Sequence, residues 1–78
     1  MSIQSVLINK KKFSLINATK WILDNNYKVE YEIDEIGKYY RFKQYEPRKN
    51  GNYVIKKIND GVKLVLEIRF GPHEYNCV

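Results

Sequence analysis

The chain has 78 residues, 44% hydrophobic and 14% aromatic, with 14 Lys and Arg against 9 Asp and Glu for a net charge of +5. That length holds one domain, which buries only about 60% of the surface its unfolded chain exposes, so a deep enzymatic cleft is not expected. The apolar share excludes a disordered chain, and the single cysteine, Cys77, excludes an internal disulfide or a cysteine-based zinc site.

The opening stretch MSIQSVLINKKK carries an apolar run too short to span a membrane, and its lysines follow that run where a signal peptide carries its charge first. No targeting or membrane segment is expected, and the cysteine usage fits a reducing compartment. Lysine, isoleucine, asparagine and tyrosine are the four commonest residues, and AT-rich codons encode all of them. Positive charge alone therefore does not establish an anion-binding face.

In chain order, residues 3 to 9 (IQSVLIN) read as a short strand ended by Lys10, Lys11 and Lys12. Ser14 is placed to cap a helix, with Phe13 before it stapling onto Ala18. Leu15, Ala18, Trp21 and Ile22 recur at helical spacing, and Asn25 and Asn26 suit a left-handed C-cap. From Lys28 the period changes to two. Val29, Tyr31 and Ile33 alternate with Glu30, Glu32 and Asp34, as in a strand with one face on a core.

Gly37 marks a turn into residues 39 to 45, where Tyr40 and Phe42 share one face and Tyr39, Arg41, Lys43 and Tyr45 the other. Pro47 and Asn50-Gly51 punctuate the passage to YVIKKI, and Asp60-Gly61 turns the chain into VKLVLEIRF. Val62, Leu64, Leu66, Ile68 and Phe70 all fall on even positions, which marks a core strand. The expected fold is α+β, in the order β-α-β-β-β-β: a four- to five-stranded antiparallel sheet with one helix across its apolar face. Residues 1–72 are expected to form the single domain and 73–78 a fraying tail.

The stretch KYYRFKQYEPRKNGNYVIKK, residues 38 to 57, interleaves four tyrosines and a phenylalanine with seven lysines and arginines. Tyrosines that stack bases beside cations that meet phosphates are what single-stranded nucleic acid requires of a binding face. The candidate residues are Tyr39, Arg41, Lys43 and Tyr45, with Lys56 and Lys57 extending the charge onto the next strand. The competing reading is an ordinary solvated face, with cross-strand pairs and long cations covering aromatic rings. No catalytic group and no metal or cofactor site is expected. Glu30, Glu32 and Asp34 lack a histidine, and His73 with Cys77 lacks a third group to orient the imidazole.

Residues 4 to about 66 carry a further pattern. QSVLINKKKFSLINATKWILDNNYK, then YYRFKQYEP and DGVKLVLE, resembles a small module of tailed-phage proteins, some associated with prohead proteases, and of large DNA virus reading frames. The shared features are the SV strand, an aromatic before a polar N-cap, an A..W helix, a YRF.Q strand and a GVK turn. The resemblance implies the fold and a viral setting, in the cytoplasm of an infected host or in a virion. Two noncatalytic roles follow as expectations: single-stranded nucleic-acid binding through the basic aromatic face, or a protein-interaction or virion-assembly role. In the second, an exposed strand edge or the helix meets a viral or host protein, and the open edge also suits a homodimer.

Overall fold

The computed structural model describes residues 2–47 and 51–68. Asn50 of the expected turn, Phe70 of the expected core strand, the tail at 73–78, and His73 with Cys77 lie outside the described residues. The elements are β1 (Ser2–Asn9), α1 (Leu15–Asp24), β2 (Asp34–Ile36), β3 (Tyr39–Lys43), β4 (Asn52–Asn59) and β5 (Val62–Ile68). The strands form one antiparallel sheet in the order β2-β3-β1-β5-β4, with the helix against one face. The α+β architecture and the chain order are those expected. No helix among the described residues is long and apolar enough to cross a membrane.

Local chemistry fixes both ends of α1. The Ser14 hydroxyl accepts from the Asn17 N–H at 3.2 Å. At the far end Asn26 is left-handed, with φ 64, and the N–H groups of Asn26 and Tyr27 donate to the carbonyls of Leu23 and Ile22. That pair of bonds is a Schellman motif, which satisfies two orphan carbonyls and stops the helix. Tyr27 then stacks on Trp21, with ring centroids 6.1 Å apart.

The core lies between helix and sheet: Ala18 and Ile22 meet Val6, Ile8, Phe42, Val62 and Leu64. Phe13 packs at its edge, and Leu15, expected inside, is 44% exposed at the first helical position. Gly61 allows this closure. A Cβ there would stand 3.2 Å from Lys12 Cβ and from Phe13 Cε1, which is tighter than ordinary contact.

The strand expected from Val29 to Asp34 is not formed as such. Only Asp34–Ile36 pairs with β3, through the turn at Gly37, whose φ of 56 suits the first central position of a II′ hairpin. Upstream, the Gln44 side chain takes the place of a ladder partner. Its Oε1 accepts from Lys28 N at 2.8 Å and its Nε2 donates to Lys28 O at 3.0 Å. The chain bows between these two attachments. Val29 and Ile33 still pack on the core, while Tyr31 lies beneath the Lys43 ammonium.

Two bulges decide which side chains reach which face. In β1 the register to β5 steps between Ile3 and Ser5, so Ile3 joins Leu66 on the helix side while Ser2 pairs with Glu67 on the open side. In β4 it steps between Lys57 and Asn59. Lys57 therefore pairs with Lys63, and Lys56 pairs with Leu64.

Candidate functional site: the open face of the sheet

The face opposite α1 is built from alternate residues of each strand. Cross-strand register sets Tyr39, Arg41 and Lys43 of β3 beside Asn9, Leu7 and Ser5 of β1, then Lys63 and Val65 of β5, then Lys57 and Ile55 of β4. Tyr45, just past the end of β3, reaches the same face, where its hydroxyl meets Ser2 and Glu67. Five of the six candidate residues thus share one face. Lys56 does not: its partner Leu64 is a core residue, so the period of two turns Lys56 to the helix side.

The charges on this face are unequally satisfied. Nε and Nη2 of Arg41 both donate to Oδ2 of Asp34, at 3.2 and 2.6 Å. That hydrogen bond holds the Asp34 carboxyl below the usual carboxylate range, overcoming partial burial, with the Arg41 and Lys43 charges adding to it. Lys43 Nζ lies 3.4 Å from Glu46, 4.0 Å from Asp34 and 5.6 Å from the Tyr31 ring centroid. The cations of β3 are therefore largely neutralised within the protein.

Tyr45 is anchored rather than open. Its hydroxyl donates to Glu67 Oε1 at 2.5 Å and bonds Ser2 Oγ at 2.8 Å. Its backbone carbonyl accepts from Gln4 Nε2 at 2.7 Å. Glu67 is only 2% exposed, which the alternation of VKLVLEIRF does not predict. Burial, together with the hydrogen bond to that carboxylate, raises the Tyr45 phenol above its ordinary value. The neighbouring Ser5 is fully buried, and its Oγ has no hydrogen-bond partner.

The far end of the face differs. Lys57 and Lys63 are directly opposed across β4 and β5, and no ion pair among the described residues uses either ammonium. Lys63 Nζ lies 5.1 Å from the centroid of Tyr39. Asp60 at the hairpin tip is taken by Lys12 at 3.1 Å, and that bond, with a smaller contribution from the Lys57 charge, lowers its carboxyl. A hollow of about 170 Å³ opens here, lined by Tyr39, Lys57 and Lys63 together with Asn9, Asn59 and Asp60.

Lys63 is the residue that sequence reasoning missed. Its odd position on the core strand marks it as outward-facing, but its meeting with Lys57 depends on the bulge. A regular hairpin around Asp60-Gly61 would pair Lys57 with Leu64 and send Lys56 to the open face instead. Among the described residues no group of three His, Cys, Asp or Glu side chains is arranged to hold a metal ion. No family model, no curated protein and no solved structure matches the chain.

Proposed function

We propose that the protein is a noncatalytic binding module that takes single-stranded nucleic acid on its open sheet face, at the hollow formed by Tyr39, Lys57 and Lys63. The observation that carries this reading is the cross-strand pair Lys57 and Lys63. Like charges directly opposite one another destabilise a sheet, and an anion placed between them relieves that repulsion. Tyr39 holds the Lys63 ammonium 5.1 Å from its ring centroid, and a phosphate that draws that ammonium away frees the ring to stack a base whatever its identity. The face is a sheet surface rather than a ridge shaped to enter a groove, which favours an unpaired strand over duplex.

The test is a titration of labelled single-stranded and duplex oligonucleotides, DNA and RNA, at low and moderate salt. Single strands are expected to bind more tightly, with affinity falling steeply as salt rises. Lys63→Ala and Lys57→Ala should each reduce the salt slope by about one charge, and Tyr39→Ala should weaken binding by about tenfold or more. Arg41→Ala should change the slope less than Lys63→Ala, because Asp34 already neutralises the guanidinium. Absence of binding at low salt, or slopes that both lysine variants leave intact, removes this reading in favour of a protein-interaction module.

A further inference from the structure

The outer strand β4 is exposed along nearly its whole length, and no described element pairs with its far side. Its apolar residues do not follow the core. Val54, Ile55 and Ile58 are all exposed, Ile55 by 63%. What this edge offers depends on where its backbone groups point. In an antiparallel sheet the N–H and C=O of one residue serve the same neighbouring strand, and successive residues alternate.

Three bonds settle the alternation. Asn9 donates to Gly61 O, on the β5 side, at 2.8 Å. Lys10 donates to Lys38 O at 2.9 Å, and Gln4 O accepts from Gln44 N at 2.7 Å, both on the β3 side. Ser5 and Leu7 therefore serve β5, and their partners Val65 and Lys63 spend their groups on β1. Leu64 and Leu66 serve β4, where they engage Lys56 and Val54. The backbone groups of Ile55 and Lys57 are left directed outward, at the open edge.

An edge of this kind pairs with a second copy of itself only in registers where outward groups meet outward groups and like charges stay apart. A two-fold axis between residues fails the first condition, because it sets outward Ile55 against inward Lys56. An axis on Lys56 opposes Lys56 to itself, and one on Lys57 opposes Lys57 to itself. An axis on Val54 avoids like charges but leaves a shorter ladder, from Asn52 to Lys56. The axis on Ile55 satisfies both conditions over seven residues: Ile55 meets Ile55, Val54 meets Lys56, Lys57 meets Tyr53 and Ile58 meets Asn52.

We propose that two copies of this chain pair through their β4 edges in an antiparallel ladder centred on Ile55, which joins two five-stranded sheets into one of ten. The lysines that commonly guard an edge strand against pairing here exclude the two registers centred on Lys56 and on Lys57. Because the axis is perpendicular to the sheet, both open faces lie on the same side. The pairing stands independently of any nucleic acid.

Sedimentation from micromolar to millimolar concentration tests it, together with oxidation of a single engineered thiol in a Cys77→Ser background. The weight-average mass should rise toward twice the monomer value, and Ile55→Lys, a change at an exposed position, should abolish the rise. Ile55→Cys should cross-link at least tenfold faster than Ile16→Cys on the exposed face of α1. A directly opposed, hydrogen-bonded pair stands about 5.5 Å apart at Cα, within the range a disulfide spans. A monomer mass at millimolar concentration with equal cross-linking of the two thiols overturns the proposal. So does a dimer that Ile55→Lys leaves intact.

Discussion

Replacing Tyr45 by Phe separates an anchoring tyrosine from a stacking one, because the substitution keeps the ring and removes only the hydroxyl. In the folded protein that hydroxyl donates to the buried Glu67 carboxyl group and bonds Ser2 Oγ. A hydrogen bond to a charged group contributes about 1.5 to 3 kcal/mol, and removing one partner of a buried polar group falls in the upper part of that range. Against a total stability of roughly 4 to 12 kcal/mol for a chain this long, the loss is large. In a domain of this size it lowers Tm by on the order of 10 to 20 °C. Circular dichroism melts of wild type and Tyr45→Phe measure it directly. A second signature is alkaline. The phenol is raised above its ordinary value near 10, so its contribution is fully present below that pH and is lost as pH rises through the higher folded value. Wild type should therefore lose stability above about pH 10 more steeply than Tyr45→Phe. Oligonucleotide affinity, measured where both proteins are folded, should be unchanged. A variant that melts with wild type and shows the same alkaline limb refutes the anchoring role and returns Tyr45 to the stacking face.

The core makes a graded prediction. Ile22→Ala, at a fully buried site, should cost about 2 to 5 kcal/mol in urea unfolding, whereas Leu15→Ala, half outside, should cost well under half as much; equal costs would mean the helix is rotated from this register. At the acidic end, Asp34 has its folded value lowered by Arg41, so its contribution is present above pH 4 and lost as pH falls through that lower value. Asp34→Asn should flatten the acid limb of the stability profile below about pH 4, and an unchanged limb would show that the Arg41 fork is not maintained in solution.

Periodicity made most of the fold legible. Val62 and Leu64 on even positions, Phe42 against Tyr40, and Ala18 with Ile22 each reach the core as their spacing requires. The Ser14 cap, the asparagines ending α1, and the turns at Gly37 and at Asp60-Gly61 are local chemistry, and local chemistry is readable without tertiary contacts. The segment from Val29 to Ile33 shows the limit. Its alternation is genuine and still places Val29 and Ile33 on the core, but alternation does not create a ladder when a distant side chain, Gln44, occupies the pairing position. Glu67 shows a second limit: a carboxylate at an outward position reads as solvated, and only the return of Tyr45 and Ser2 from other strands buries it.

The candidate site was half legible for a more specific reason. A strand's face is set by counting residues from a fixed point, and one inserted residue reverses every assignment beyond it. Counting from the Asp60-Gly61 turn without the bulge puts Lys56 on the open face; counting with it puts Lys57 there, against Lys63. The same inserted residue is what brings two like charges into opposition beside Tyr39. At the other end of the face, Asp34, Glu46 and Glu67 satisfy Arg41, Lys43 and Tyr45 from within. Basic and aromatic residues spread evenly along the sequence thus divide into a half whose cations, Arg41 and Lys43, meet carboxylates, and a half whose cations, Lys57 and Lys63, are in no ion pair among the described residues. The second half is the one proposed to meet an external anion. It shares the sheet face with Ile55, the apolar residue at the centre of the open ladder. Lys63→Ala, one strand in from the edge, therefore tests the face without touching the ladder, and Ile55→Lys tests the ladder through the mass of the particle rather than through affinity for an anion.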